Sequence, residues 1–257
     1  RKRTQNEEEQ KKLQEQNETI QDLNKSLDKC DEQQKELEEL SKTQKEKSQL
    51  NFNDKKKFES FIKRQQQQEK MMQKFNKKLQ DNLEDFQKEN KEKDQFKEDL
   101  KKRLKQNEEQ LKKDEKLLEE LEKLREKMSK EEFSEKIDKL AKQAKSQKRS
   151  LEQMLELTKR YYIFKKMEKI GNELDKLAKK QDSLANKKPQ ENTKEKQDAL
   201  NKEFEDILKD LEAIEKENKQ LKQPLKLPRN ENKEENVKED QEKASDELKK
   251  KEESHSQ

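Results

Sequence analysis

Along most of this chain the apolar residues are few, and they recur three and four positions apart with charged or amide side chains filling the intervals. A stripe of that kind marks an α-helix that buries one narrow face and leaves the rest in water. Over residues 1–50 the seam is regular, with Leu13, Ile20 and Leu27 at a and Leu23, Cys30 and Leu37 at d of a heptad, interrupted by Gln16 and Gln34. The phase is lost after Leu40, and residues 48–53 read as a joint with Asn53 as the N-cap of the following helix.

A long central helix is predicted over 51–128, its body running from Asp54 to Met128 without a Gly or Pro. At about 1.5 Å per residue it would be a rod of roughly 110 Å. Its seam takes in Phe58, Ile62, Met72, Phe75, Leu79, Leu83 and Phe86, then Phe96, Leu100, Leu104, Leu111, Leu118 and Leu121. Steps such as Leu79 to Leu83 break the alternation and predict stutters. The Gln65–Gln68 run reads as an exposed helical stretch.

Ser129 and Glu132 fit a capping box that opens a third helix over 129–188. Its apolar positions are Phe133, Ile137, Leu140, Ala144 and Leu151, and the series Met167, Ile170, Leu174, Leu177, Gln181, Leu184 keeps heptad spacing. Pro189 ends it, and Asn192 with Glu195 offers the cap of a fourth helix over 189–223, carrying Leu200, Phe204, Ile207, Leu211, Ile214, Asn218 and Leu221. The short link around Pro189 permits an antiparallel hairpin between these last two seams. Beyond Pro224 and Pro228, residues 224–257 hold few apolar side chains, notably Val237, Ala244 and Leu248, and read as a flexible charged tail. The expected fold is therefore all-α: long coiled-coil helices, either paired between chains or folded back as antiparallel hairpins, with a disordered C-terminal tail.

Composition narrows the choice. Only 24% of the 257 residues are apolar, none is Trp, and 50% are charged, too little greasy surface for a globular core of the size this length would otherwise imply. A helical seam needs far less. The 66 basic and 62 acidic residues nearly cancel, so the net charge of +4 does not describe a surface built to coat nucleic acid. Opposite charges four apart, such as Glu119 and Lys123, instead read as solvated helix flanks. The longest apolar run, Tyr161 to Phe164, is far short of the about 20 residues of a membrane span. The chain begins at Arg1 and not at a methionine, which reads as a fragment whose preceding portion leaves room for a signal peptide or anchor.

The residue types from which reaction chemistry is built are scarce. Cys30 is the only cysteine and sits on a seam, where it reads as a small buried residue, an interchain disulfide being the other reading. His255 is the only histidine, near the end of the tail, without partners for a metal. Gly171 stands alone in a helical run, which excludes a phosphate-cradling loop and reads as a close helix approach or a slight bend. Carboxylates on exposed rods keep ordinary pKa values and lack a desolvated cleft. No catalytic, cofactor-binding or metal-ligating residue is predicted, and neither is a small-molecule substrate.

One segment departs from the pattern, Lys159-Arg160-Tyr161-Tyr162-Ile163-Phe164-Lys165-Lys166-Met167. Four consecutive large apolar residues point all round a helix, so a two-helix seam leaves at least one in water. Either a third helix or a fold-back covers the extra face, or Lys159, Arg160, Tyr161, Tyr162, Phe164 and Lys165 form a partner-binding patch with aromatic anchors in a basic rim. The polar seam residues Gln181 and Asn218 read as register-setting. The function expected is a non-enzymatic scaffold or spacer that engages a protein partner or itself through its helices. The alternative is a nucleic-acid-associated coil using Lys55, Lys56 and Lys57 or Lys145, Lys148 and Arg149.

The stretches Leu118–Leu124, Gln147–Tyr162 and Val237–Ala244 resemble the coiled-coil portion of a Bacteroidota family catalogued as domain-of-unknown-function family 4175. The resemblance runs over nearly the whole chain and is most distinctive around Lys159-Arg160-Tyr161-Tyr162. It implies a membrane-anchored cell-envelope protein whose transmembrane helices lie N-terminal to this region. It implies no catalytic residue.

Overall fold

The computed structural model describes residues 5–47, 49, 51–87, 95–124, 127, 129–188 and 190–255. These hold six helices: α1 (Gln5–Glu46), α2 (Phe52–Gln87), α3 (Gln95–Leu124), α4 (Lys130–Ala185), α5 (Lys194–Lys219) and α6 (Glu231–His255). They belong to two compact units, Arg1–Tyr161 and Tyr162–Gln257, so that α4 contributes a part to each.

In the first unit four helices run alternately up and down. Gln66 and Gln73 on α2 donate to Glu122 (2.8 Å) and Glu115 (3.4 Å) on α3, partner numbers falling as their own rise, which is the mark of antiparallel packing. The other neighbours follow suit, with Gln68 of α2 donating to the Ser26 carbonyl of α1 (3.3 Å) and Lys136 of α4 meeting Glu120 of α3 (2.7 Å). Ser41 of α1 donates to Asp138 of α4 (3.2 Å), and Lys148 pairs with Asp31, closing the ring of four.

The single rod expected over 51–128 is therefore replaced by two helices packed on each other. Between them the sequence Lys88 to Asp94 contains no apolar residue, so a straight helix there would have no face to bury. Those residues, with Met128, lie outside the described ones, as do the side chains of Phe86 and Phe96. Every other seam residue predicted for this stretch is buried, and Phe61 and Leu117 join them. At one level Leu37, Phe61, Leu118, Leu121 and Ile137 are almost completely sealed, and the Phe58 and Phe133 rings meet edge to face with centroids 4.7 Å apart. Each such side chain contributes about 1.5–3 kcal/mol by leaving water. The Gln65–Gln68 run is not the exposed stretch expected, because Gln65 and Gln68 are buried.

In the second unit the 162–185 part of α4 and α5 form the expected hairpin. Ile170, Leu177 and Leu184 pack with Phe204, Ile207 and Leu211 in one core, flanked by Lys180–Glu203 (2.6 Å) and Lys166–Glu217 (2.8 Å) ion pairs. The disordered tail is corrected: α6 is an ordered helix folded antiparallel onto α5. Asn201 donates to the Gln241 carbonyl (3.2 Å) and to Ser245 (3.1 Å), Ser245 donates to Asp198 (2.7 Å), and Glu252 accepts from the Lys194 amide (2.9 Å). Amides and hydroxyls make this seam, which is why an apolar periodicity was missing.

The turn into α6 is fixed by two side chains. Asn218 both donates to and accepts from the Leu225 backbone at 2.8 Å. Arg229 reaches Glu215 at 2.8 Å and grips Glu234 through Nε and Nη2, the carboxylates holding its guanidinium charge firmly. Arg229→Ala leaves two partly buried carboxylates facing each other, and a loss of about 2 kcal/mol in urea unfolding, with α6 amides exchanging faster, is the expected outcome.

Local signals fared unevenly. The capping box forms, Ser129 Oγ accepting from the Glu132 amide (3.2 Å) and Glu132 from the Ser129 amide (3.0 Å). At the start of α2 the cap is Asn51 and not Asn53, because Asn51 and Asp54 exchange the reciprocal bonds at 2.9 and 3.1 Å. Thr193, not Asn192, precedes α5, and Pro189 lies outside the described residues. Gly171 is no close approach: a Cβ there meets nothing within 4 Å, and among the described residues none takes a positive φ. Gly171→Ala should therefore stabilise α4 by about 0.5–1 kcal/mol, read as a raised denaturation midpoint.

Candidate functional site

The aromatic cluster singled out in the sequence is mostly inside. Tyr161, Tyr162 and Ile163 are buried, and within the second unit the Lys166 ammonium lies 4.2 Å from the Tyr162 ring centroid. Lys159 and Arg160 are half-buried, Lys165 bonds Glu168 at 2.7 Å, and Phe164 alone offers an exposed ring, at 42%. Of the six residues of the expected partner-binding patch, Tyr161 and Tyr162 are therefore buried and Phe164 is the exposed ring. The basic groups are also dispersed in role: Lys55, Lys56, Lys57, Lys145 and Arg149 are exposed, while Lys148 is spent on Asp31.

A second finding went unanticipated. Midway along the first unit Glu69 of α2 and Asp114 of α3 are only 4% and 3% exposed. Burial, with the charges of Asp114 and Glu115 adding to it, raises the Glu69 carboxyl from 4.5 to about 8. Burial also raises Asp114, against the hydrogen bond it accepts from Gln110 at 2.9 Å and the nearby charge of Lys113. The expectation of ordinary pKa values for carboxylates on exposed rods does not reach these two, because both are buried. Asn107 and Gln147 are buried in the same unit, with Nδ2 and Nε2 lacking a hydrogen-bond partner among the described residues, as does Glu69 Oε2. Cys30 is buried with its sulfur 3.7 Å from the Gln68 amide nitrogen, and burial pushes the thiol up, an arrangement that suits a core residue and hinders bridging to another chain.

The third feature is a groove of about 510 Å³ in the second unit. Leu174, Leu177, Ala178 and Gln181 of α4 form one wall, and Val237, Asp240, Gln241 and Ala244 of α6 the other. Phe204 and Gln197 of α5 make the floor, and Asp182 stands on the rim. The polar end is ordered, Gln181 and Gln197 exchanging bonds at 2.7 and 3.0 Å while Gln241 reaches Gln181 at 3.5 Å. Val237 is 41% exposed. Sequence spacing had flagged Gln181 only as register-setting, and α6 had no predicted partner.

No family model, no curated protein and no solved structure matches this chain. Among the described residues no group of three or more His, Cys, Asp or Glu is placed to hold a metal ion, and no helix is long and apolar enough to cross a membrane. The His255 side chain lies outside the described residues.

Proposed function

We propose that this chain is a helical scaffold or spacer region of a membrane-anchored cell-envelope protein, which engages a protein partner. The observation that carries the reading is a charged helical framework with an apolar face left open in its second unit, the groove between α4 and α6. The main seams of each unit are consumed within the chain, so a partner has that face to use and self-association through long unpaired stripes is the weaker form. The membrane anchor rests on the family resemblance alone.

Fractionation of the source cells tests the reading. The protein should sediment with the envelope and be trapped to another protein by a short cross-linker in living cells. Recovery in the cytosolic fraction, with no cross-linked protein, would remove it.

A further inference from the structure

We propose that the α4–α6 groove is a docking site for a partner helix bearing an apolar stripe flanked by Lys or Arg. This deepens the scaffold reading and rests on it. The two walls repeat one spacing: Leu174, Leu177, Ala178 and Gln181 on α4, and Val237, Asp240, Gln241 and Ala244 on α6, each at i, i+3, i+4 and i+7. That is the set of positions one helix presents to another. Two turns of each wall stay open above a floor of Phe204, and Ala178 and Ala244 are small enough to let a helix settle close. In the first unit four helices enclose the core, whereas the core of the second is built from α4, α5 and the 221–227 segment, with α6 held along α5 by polar contacts that leave the groove open beside it.

Charge selects the occupant. No Lys or Arg lines the groove, and its rim carries Asp182 and Asp240. Asp182 is exposed with no ion pair among the described residues, and Asp240 faces Lys243 only at 3.9 Å, both largely in water. Basic flanks on a docking helix meet these carboxylates, while acidic flanks are repelled. The chain as a whole carries +4, so a basic helix gains nothing from the general field and must be recognised locally.

The test uses the full chain and two labelled amphipathic peptides of about five helical turns, identical in their leucine stripe and differing in Lys or Glu flanks. By fluorescence anisotropy the Lys peptide should bind saturably and roughly tenfold or more tighter than the Glu peptide. Asp182→Lys with Asp240→Lys should reverse that order, and Ala178→Trp, which fills the groove from an exposed position, should abolish binding with helix content unchanged. Equal affinity for the two peptides, or Lys-peptide binding that survives both variants, would overturn the proposal. Overturned here while envelope fractionation and cross-linking hold, the groove is lost and the scaffold stands.

Discussion

Glu69→Gln should make the chain more resistant to urea at pH 8.5 than the unaltered protein and leave it little changed near pH 4.5. The Glu69 carboxyl titrates at about 8 in the fold against an ordinary 4.5, so the folded state holds a proton that the unfolded chain has already released. A raised carboxyl pKa contributes stability in full below the unfolded value, and that stability drains away as pH climbs through the folded one. Across this window the loss is on the order of 4 kcal/mol, with Asp114 acting in the same direction. The opposite slope belongs to Asp54, Glu120 and Asp198, whose carboxyls lie below their usual range through Lys47, Lys136 and Lys194, and it appears only in acid. Unfolding curves for both proteins from pH 4 to 9 decide the matter: lines that stay parallel throughout would show that Glu69 holds no extra proton.

Phe61→Ala should cost about 3–5 kcal/mol, because the ring is fully enclosed where all four helices of the first unit meet, and the space it leaves cannot collapse around bundle-packed neighbours. Phe52→Ala is the internal control. That ring is 78% exposed at the start of α2, and its removal should stay within about 0.5 kcal/mol. Urea midpoints compare the two directly, and a Phe61 variant as robust as the Phe52 variant would mean the four helices do not share this core.

Helices and their buried stripes were readable because burial of Leu, Ile and Phe every three to four residues leaves a plain trace; from Leu200 to Leu221 each predicted seam residue is buried. Partner choice was not readable. A two-helix seam and one quarter of a four-helix unit differ mainly in the width of the covered face, and the extra width here is taken by Thr19 and Ser26, which carry no hydrophobic signal. Thr19 escapes the penalty of burial by donating to the Glu15 carbonyl at 2.8 Å. Glu69 and Asp114 were invisible for the same reason, since nothing distinguishes them in sequence from the many solvated carboxylates around them. The reversal between α2 and α3 left only the lack of apolar residues from Lys88 to Asp94 as a clue. The α6 seam, built on Gln241 and Ser245, looked like solvent-facing tail, so the isolated Val237 and Ala244 were the only trace on that side of the groove.

Folding back within one chain is the claim on which the units and the groove both depend, and zero-length carbodiimide coupling of lysines to carboxylates reads it without any mutation. Peptide mapping of the monomer band should recover Lys136–Glu120, Lys148–Asp31, Lys166–Glu217 and Lys180–Glu203, pairs far apart in sequence and in contact across helices. If the monomer yields only couplings three or four residues apart, or if those long-range pairs occur solely in covalent dimers, the chain does not fold back on itself and the account fails.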